Sequence, residues 1–208
     1  MSKIVRIVVG EIATNCYILQ SNNEIAVIDP GFDGDKILNY LKKMEGKVTH
    51  IINTHGHIDH IGANHKIKQA SDANIYIHKD DAEMLRHPAQ NLSLLIGELI
   101  QSPKANFLVE EDDIIKVGQE NLKVIHTPGH TKGSICLMGN NYVFTGDTLF
   151  FDSVGRTDLP GANEEQLFQS LKKLKSRLND EMIIYPGHGE WGTFKEIKSI
   201  NPFLQFDD

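Results

Sequence analysis

Four closely spaced side chains form the pattern H-x-H-x-D-H, which is the strongest chemical signal in the sequence: His55, His57, Asp59 and His60. Positions i and i+2 at a strand end point to the same side, so His55 and His57 can face one metal ion. Gly56 lets the backbone turn closely between them, whereas Asp59 and His60 follow the turn and diverge toward a second position. Imidazole and carboxylate ligands suit zinc, and also iron or manganese.

Three further motifs place a histidine or an aspartate just past a predicted strand, beside a glycine. They are HTPGHT at 126–131 with His130, FTGDT at 144–148 with Asp147, and YPGHG at 185–189 with His188. Any one of them alone is typical of a loop histidine or an Asx turn. Together with H-x-H-x-D-H, they predict four strand ends that converge on one edge of the sheets.

The elements that must position these residues can be predicted from hydrophobic periodicity and turn signals. The predicted strands are Ile4–Val9, Cys16–Leu19, Ile25–Ile28, Val48–Asn53, Ile75–His78, Ile114–Val117, Leu122–His126, Ser134–Met138, Tyr142–Thr145 and Met182–Tyr185.

Helices are expected over about Asp33–Met44, His60–Ala70, Lys79–Arg86 and Thr193–Ile200, and after a capping box formed by Asn163 and Gln166. The last of these carries an apolar stripe of Leu167, Leu171, Leu174 and Leu178. Residues 87–106 have two interpretations, a loosely helical flap over the site or a surface excursion. Two sheets packed face to face with helices outside would bury all the apolar faces, and no linker divides the chain, so we predict one domain over 1–208.

Composition excludes several classes of partner. The chain has 208 residues, of which 40% are hydrophobic, and a net charge of −7. We therefore expect no nucleic-acid partner, because binding phosphates needs a basic surface. No apolar run reaches the roughly 20 residues of a membrane span, and the N-terminus lacks a secretory signal. Cys16 and Cys136 are predicted to be buried thiols in a reducing cytoplasm. A monomer or small homo-oligomer is expected.

From Thr14-Asn15-Cys16-Tyr17 to His188, the chain resembles the metallo-β-lactamase superfamily, and specifically its short glyoxalase II-like (hydroxyacylglutathione hydrolase-like) branch. The resemblance implies an α/β fold, the αββα sandwich, with a dinuclear site at one edge. It implies two divalent metal ions, zinc first, with iron or manganese as alternatives. Carried over by motif, the ligands of the first metal are His55, His57 and His130. Those of the second are Asp59, His60 and His188, and Asp147 bridges the two metals.

The activity that this resemblance implies is hydrolysis of a small acyl thioester such as S-lactoylglutathione. A water held between two cations loses its proton near neutral pH, and the bridging hydroxide attacks a carbonyl carbon. Asp59 is predicted to orient that hydroxide while binding its metal. Full-length glyoxalase II enzymes add a helical C-terminal region that binds glutathione, whereas only residues 189–208 follow His188. The identity of the thiol therefore stays open.

Two residues and two rival functions complete the predictions. Arg156, in the stretch 153–158, could bind a substrate carboxylate, or it could pair with Asp158 and brace the backbone. Asp29 has two interpretations, a hydrogen-bond partner of a ligand histidine or a turn aspartate. The nearest rival function is a persulfide dioxygenase that uses one iron. A metal-binding module without catalysis is the third possibility.

Overall fold

Two six-stranded mixed sheets form the framework of the computed structural model, which describes residues 2–205. The first sheet contains β1 (Lys3–Val9), β2 (Thr14–Ser21), β3 (Glu24–Ile28), β4 (Lys47–Ile52), β5 (Asn74–His78) and β6 (Phe107–Val109) in that order. Its first three strands form an antiparallel meander, and β3 to β6 pair in parallel.

The second sheet contains β7 (Ile114–Val117), β8 (Glu120–His126), β9 (Ile135–Met138), β10 (Tyr142–Gly146), β11 (Ile183–Pro186) and β12 (Gly192–Thr193). Its spatial order runs from β12 at one edge to β7 at the other. Only β10 and β11 pair in parallel, and the other neighbours are antiparallel.

Within the described residues, five α-helices and three 3-10 helices accompany the sheets. The α-helices are α1 (Gly34–Leu41), α2 (Ile58–Ile61), α3 (Asn64–Ser71), α4 (Glu164–Arg177) and α5 (Phe194–Ile200). The 3-10 helices are Lys79–Leu85, Ser93–Ile96 and Pro202–Leu204. Within residues 2–205, no helix is both long enough and apolar enough to cross a bilayer.

Three apolar clusters show how the layers stack. The central cluster joins the sheets face to face, with Tyr17 of β2 and Phe144 of β10 packed at 5.2 Å between ring centroids. A second cluster packs α1 and α3 on the outer face of the first sheet, and a third packs α4 on the outer face of the second. Cys16, next to Tyr17 on β2, belongs to the α1 cluster, because adjacent strand residues point to opposite faces. These layers confirm the predicted αββα sandwich.

The helix predicted over His60–Ala70 is instead two short helices, α2 and α3. The break has a physical reason, because the buried Asn53 amide donates to the carbonyl oxygen of His60. That oxygen is therefore bonded by a side chain where a continuous helix would use a backbone N–H.

Other boundaries also differ from the prediction. Strands β6 and β12 were not expected, because two or three residues carry no readable period. The helix predicted to reach Met44 ends at Leu41, and the one predicted over Lys79–Arg86 is a 3-10 helix. Asn163 caps α4 through the N–H of Gln166, but the full capping box lies at Thr193 and Glu196.

Candidate metal centre

The centre lies where strands from both sheets end. In the first sheet, β4 runs into the loop that holds His55 and His57, and α2 follows at once with Asp59 and His60. In the second sheet, the segments after β8, β10 and β11 hold the remaining three residues, His130, Asp147 and His188. The structure thus brings together all seven residues that the motifs predicted.

His55, His57 and His130 form the first group of possible ligands, with one ligand atom of each within 4.8 Å of the others. His57 Nδ1 lies 2.9 Å from His130 Nε2. All three side chains are buried. Three imidazoles facing one point are a common ligand set for a divalent transition metal.

Asp59, His60 and His188 form the second group, which meets the same distance criterion. Asp59 Oδ2 lies 3.2 Å from the Nε2 atoms of both His60 and His188. Thr14 at the start of β2 donates its hydroxyl to the same carboxylate oxygen over 3.1 Å. The backbone position of Asp59 on α2 and this hydroxyl together hold the carboxylate toward the two rings.

The buried Asp147 carboxylate stands between the two groups. Its Oδ1 lies 3.3 Å from His60 Nε2. Its Oδ2 lies 3.6 Å from His130 Nε2 and 3.5 Å from His188 Nε2. One side chain therefore contacts members of both groups.

Hydrogen bonds on the far side of the rings orient them. His130 Nδ1–H donates to the carbonyl oxygen of Arg156 over 2.8 Å, and His188 Nδ1–H donates to that of Ile12 over 3.2 Å. A donor at Nδ1 leaves the Nε2 lone pair of each ring directed at the centre, as is usual for ligand histidines.

Asp29 lies beside the far side of the His60 ring. Its Oδ2 lies 3.0 Å from His60 Nδ1, and the carboxylate also accepts from the backbone N–H and the hydroxyl of Thr54, each over 2.7 Å. Asp29 has a φ of 50°, a conformation that aspartate tolerates better than most residues. It is thus both the residue that ends the β3 segment and a partner of a candidate ligand.

Two of the histidines are held neutral. Burial and the neighbouring His130 lower the pKa of His57 to about 3. Burial and His60 push the pKa of His55 well below its ordinary value. Both rings therefore keep a lone pair for a metal at neutral pH.

The carboxylates of the centre are charged. Burial alone would raise the pKa of Asp59, but His60 and the contacts from His188 hold it well below its usual range. Burial would likewise raise the pKa of Asp147, but the neighbouring His60 outweighs this effect and lowers it. Burial would lower the pKa of His60, but Asp59 and Asp147 raise it well above its ordinary value. The two carboxylates that favour a proton on His60 would also favour a metal cation at the centre.

A metal fits these residues. Several buried polar atoms have no hydrogen-bond partner among the described residues: His55 Nε2, His60 Nδ1 and Nε2, and Asp147 Oδ1. Apart from His60 Nδ1, which faces Asp29, these atoms lie at the middle of the centre. Unpaired buried lone pairs are costly unless an ion or a water binds them. Nitrogen and carboxylate donors of this kind suit zinc, iron or manganese.

Asp81, in the 3-10 helix Lys79–Leu85, is a functional residue that the sequence did not reveal. Its buried carboxylate accepts from Gly56 N–H over 3.0 Å, Thr131 Oγ1–H over 2.7 Å and Gly133 N–H over 2.7 Å. Burial raises the pKa of Asp81, and these three donors act against that shift. The one carboxylate ties the loop of His55 and His57 to the segment after His130.

Arg156 makes the pairing with Asp158 that was one of its two predicted roles. Its guanidinium Nε and Nη2 donate to the Asp158 carboxylate over 2.6 and 2.7 Å, and its carbonyl oxygen orients His130. The side chain also lines the cavity above the centre, so its predicted binding of a substrate stays a prediction.

A third cluster of possible ligands lies elsewhere, at the ends of β5 and β8. His78 and His126 stack with ring centroids 3.9 Å apart, and Asp80 lies beside them. Here one nitrogen of each ring is already hydrogen-bonded to the backbone. His78 Nδ1 accepts from Asp80 N–H, and His126 Nε2–H donates to the carbonyl oxygen of Lys132. The stacked pair thus differs from the central group, whose ring nitrogens face one another.

Comparison with known proteins covers nearly the whole chain. The family model described as "Metallo-beta-lactamase superfamily" matches residues 9–188. The "Probable metallo-hydrolase YqgX" of Bacillus subtilis is 34% identical over 202 residues, which are 96% of each chain. The "Hydroxyacylglutathione hydrolase GloC" of Haemophilus influenzae is 31% identical over 91% of this chain and 92% of its own.

Solved structures match as closely. The crystal structure of the BLEG-1 B3 metallo-beta-lactamase superposes with a TM-score of 0.93 at 32% identity, covering 98% of this chain and 100% of that one. TTHA1623 in a di-iron-bound form has a TM-score of 0.86 at 33% identity, covering 96% and 100%. ETHE1 from Myxococcus xanthus has a TM-score of 0.81 at 29% identity, covering 96% and 83%.

Proposed function

The chain belongs to the metallo-beta-lactamase superfamily, as its motifs predicted, and we propose that it is a dinuclear metallohydrolase of acyl thioesters. The observation that carries the proposal is the position of Asp147, whose carboxylate contacts His60, His130 and His188 within 3.3–3.6 Å. A carboxylate shared by two ligand groups is what a pair of ions requires. The names of the GloC and YqgX relatives support hydrolysis.

The residues of the first metal would be His55, His57 and His130, and those of the second Asp59, His60 and His188. Two divalent cations, when bound, make water acidic and polarise a carbonyl oxygen. Zinc is the metal that we propose first, with iron or manganese as alternatives. The di-iron-bound form of TTHA1623 supports iron as an alternative. Asp147, which contacts members of both groups, would contribute a carboxylate to the binding of both ions.

Asp59 is the residue that we propose to orient the nucleophilic water. Its contacts with Thr14, His60 and His188 are all made by Oδ2. We therefore assign Oδ1 to accept a hydrogen bond from the attacking water and so to orient it. The low pKa of this carboxyl keeps it charged at neutral pH, so that Oδ1 accepts a hydrogen bond and does not donate one.

The walls of the cavity above the centre would position the substrate. The Arg156 guanidinium borders this cavity, but its pairing with Asp158 occupies two of its donors. The substrate that we propose is a small molecule, with neither nucleic acid nor membrane as partner. A cytoplasmic location is part of the proposal and is supported by the two free, buried cysteines, Cys16 and Cys136.

A second candidate is a mononuclear-iron persulfide dioxygenase. It is favoured by the group of His55, His60 and Asp147, whose ligand atoms lie within 4.8 Å of one another. Two histidines and one carboxylate are the usual ligands of non-haem iron oxygenases. The likeness to ETHE1 points the same way.

Metal substitution separates the two candidates. The purified chain is loaded with zinc and, separately, with iron, and assayed for cleavage of S-lactoylglutathione and of simpler acyl thioesters, and for oxygen uptake with glutathione persulfide. Thioester cleavage by the zinc form without oxygen uptake is the expected result, since zinc has no redox chemistry. Activity of the iron form alone, with oxygen consumed, would overturn the hydrolase proposal.

A matched pair of variants tests the role of Asp59. Asp59→Asn should lower kcat by about 10²- to 10⁴-fold, the range for a group that positions the transferred proton in the transition state. Asp35→Asn makes the same change at a surface carboxylate that is 79% exposed and should leave kcat unchanged. Equal activity of both variants would remove Asp59 from the mechanism.

A further inference from the structure

Residues 92–99, which we call the flap, expose an unusual amount of apolar surface beside the metal centre. Four large side chains in this segment are more than half exposed: Leu94 at 53%, Leu95 at 74%, Ile96 at 56% and Leu99 at 75%. Scattered exposed apolar residues need no explanation, but a contiguous patch of them marks a binding surface. Leu94, Leu95 and Ile96 lie on a single turn of 3-10 helix, Ser93–Ile96, and Leu99 follows it.

Buried polar groups hold the flap in this conformation. Asn91 and Ser93 are fully buried. The Asn91 amide donates to Ile100 O over 3.0 Å and its oxygen accepts from Ser93 N–H over 3.0 Å, while Ile100 N–H donates to Ser93 Oγ over 3.2 Å. Leu92 has a φ of 70°, a strained value for a side chain of this size. The apolar residues are thus held outward by satisfied hydrogen bonds at the base of the flap.

The flap is also tied to the metal centre. The carbonyl oxygen of Asn91 accepts from the backbone N–H of Ile58 over 2.8 Å, and Ile58 stands between His57 and Asp59 in the chain. One hydrogen bond therefore fixes the flap relative to the residues that would hold both metals.

The flap forms one wall of a cavity of about 490 Å³ that opens above the centre. Its floor contains candidate ligands from both groups together with Asp147. The rest of its lining is mostly apolar: Ile12, Ile58, Leu92, Leu95, Ile96, Phe150, Val154 and Leu159. Leu95 and Ile96 of the flap line this cavity, whereas Leu94 and Leu99 do not border it.

The charges of the cavity do not match an anionic thiol. Among the described residues that line it, Arg156 is the one arginine or lysine. Its guanidinium already makes a two-bond pair with Asp158. The walls of the cavity offer the two carboxylates of glutathione no cation besides Arg156, whereas an apolar group would find eight apolar side chains.

We infer that this cavity binds the apolar acyl chain of a thioester substrate, with Leu95 and Ile96 as its specificity-determining residues. This inference rests on the proposed function, because the thioester carbonyl must reach the metal centre while the chain extends along the flap. Burying each methylene should raise kcat/KM by up to about fourfold. The substrate class is therefore an apolar acyl thioester, in place of a hydroxyacyl ester of glutathione.

The first experiment measures kcat/KM of the zinc-loaded full chain for acetyl, butanoyl and octanoyl thioesters of N-acetylcysteamine, and for S-lactoylglutathione. We expect kcat/KM to rise from acetyl to octanoyl and to exceed the value for S-lactoylglutathione. Leu95→Ser should lower the octanoyl value by about tenfold or more and leave the acetyl value within about twofold. Leu94→Ser makes the same change on the same flap outside the cavity, and should alter neither value.

The second experiment measures binding without turnover. Isothermal titration of the zinc-loaded chain with octanoate and with acetate, the corresponding carboxylate products, should give tighter binding of octanoate. Leu95→Ser should remove that preference and Leu94→Ser should keep it. This readout does not depend on the chain being a hydrolase.

The outcomes separate the two proposals. No thioester cleavage, combined with Leu95-dependent octanoate binding, would overturn the proposed function and support the apolar site. Cleavage with S-lactoylglutathione as the best substrate, and with Leu95→Ser equal to Leu94→Ser, would overturn the apolar site and support the hydrolase. Octanoate binding no tighter than acetate would count against the inference in either case.

Discussion

Replacing Asp81 by asparagine should destabilise the protein by about 1–3 kcal/mol, because it leaves one buried backbone N–H without an acceptor. The carboxylate Oδ1 faces Gly133 N–H, and Oδ2 faces both Gly56 N–H and the Thr131 hydroxyl. An asparagine oxygen can still accept from Gly133, and its amide can donate to Thr131. The same amide then opposes Gly56 N–H, and that bond is lost.

The alanine variant sets the upper limit. Asp81→Ala leaves the N–H groups of both Gly56 and Gly133 unpaired, which corresponds to about 2–6 kcal/mol. A second consequence concerns the metal, because Gly56 lies between His55 and His57 and the Thr131 bond lies next to His130. Loss of a group that orients ligands typically costs 10- to 100-fold in metal affinity, so we expect zinc binding to weaken by about that factor.

Urea unfolding of the metal-free variants, followed by far-UV circular dichroism, measures the first effect without the contribution of bound metal. Zinc titration of the folded variants measures the second. Asp35→Asn is the matched control, because its side chain is 79% exposed, and its free energy of unfolding should lie within about 0.5 kcal/mol of the parent. If Asp81→Asn equals Asp35→Asn in both stability and zinc affinity, the reasoning about this carboxylate is refuted.

Three further predictions concern the metals. Metal-replete protein should contain about two ions per chain, and a value that stays at one in elemental analysis would contradict the dinuclear proposal. Asp147→Ala should lose metal and activity together, whereas Arg156→Ala should retain metal, as measured on the same preparations; equal metal loss would make Arg156 structural. Gly187→Ala should weaken metal binding with little change in fold, because its Cβ would lie 2.2 Å from Asp147 Oδ1. Gly189→Ala is the control, because a Cβ there meets nothing within 4 Å although φ is 74°. This variant should lose about 1 kcal/mol of stability and keep its metal. Metal loss in both variants would refute the steric argument.

Much of the fold was readable from local patterns. The stripe of Leu167, Leu171 and Leu174 predicted α4 and its buried face, since a 3.6-residue period is a property of the segment itself. The strands with a continuous apolar sequence were likewise predictable, because both faces of the central β-strands are buried. The family resemblance and the αββα sandwich followed from these elements and from the strand-end motifs, and both are confirmed.

The candidate site was predictable for a related reason. Histidines and aspartates stood directly after strands, and strand ends on one side of a sandwich share an edge. His130 and His57 are 73 positions apart in sequence yet adjacent in space, and the motifs indicated this without any contact information. Their roles as ligands stay a prediction that the metal experiments test.

Only the tertiary structure decided which polar groups support that site and what surrounds it. Asp81 is separated by 50 positions from Thr131, and nothing in its own segment distinguishes it from the exposed Asp80. The interpretation of Asp29 and the outward flap depended equally on where loops pack. Periodicity reports which face of an element is apolar, whereas a hydrogen bond between two loops depends on the relative position of distant segments. That position exists only once the two sheets have packed together.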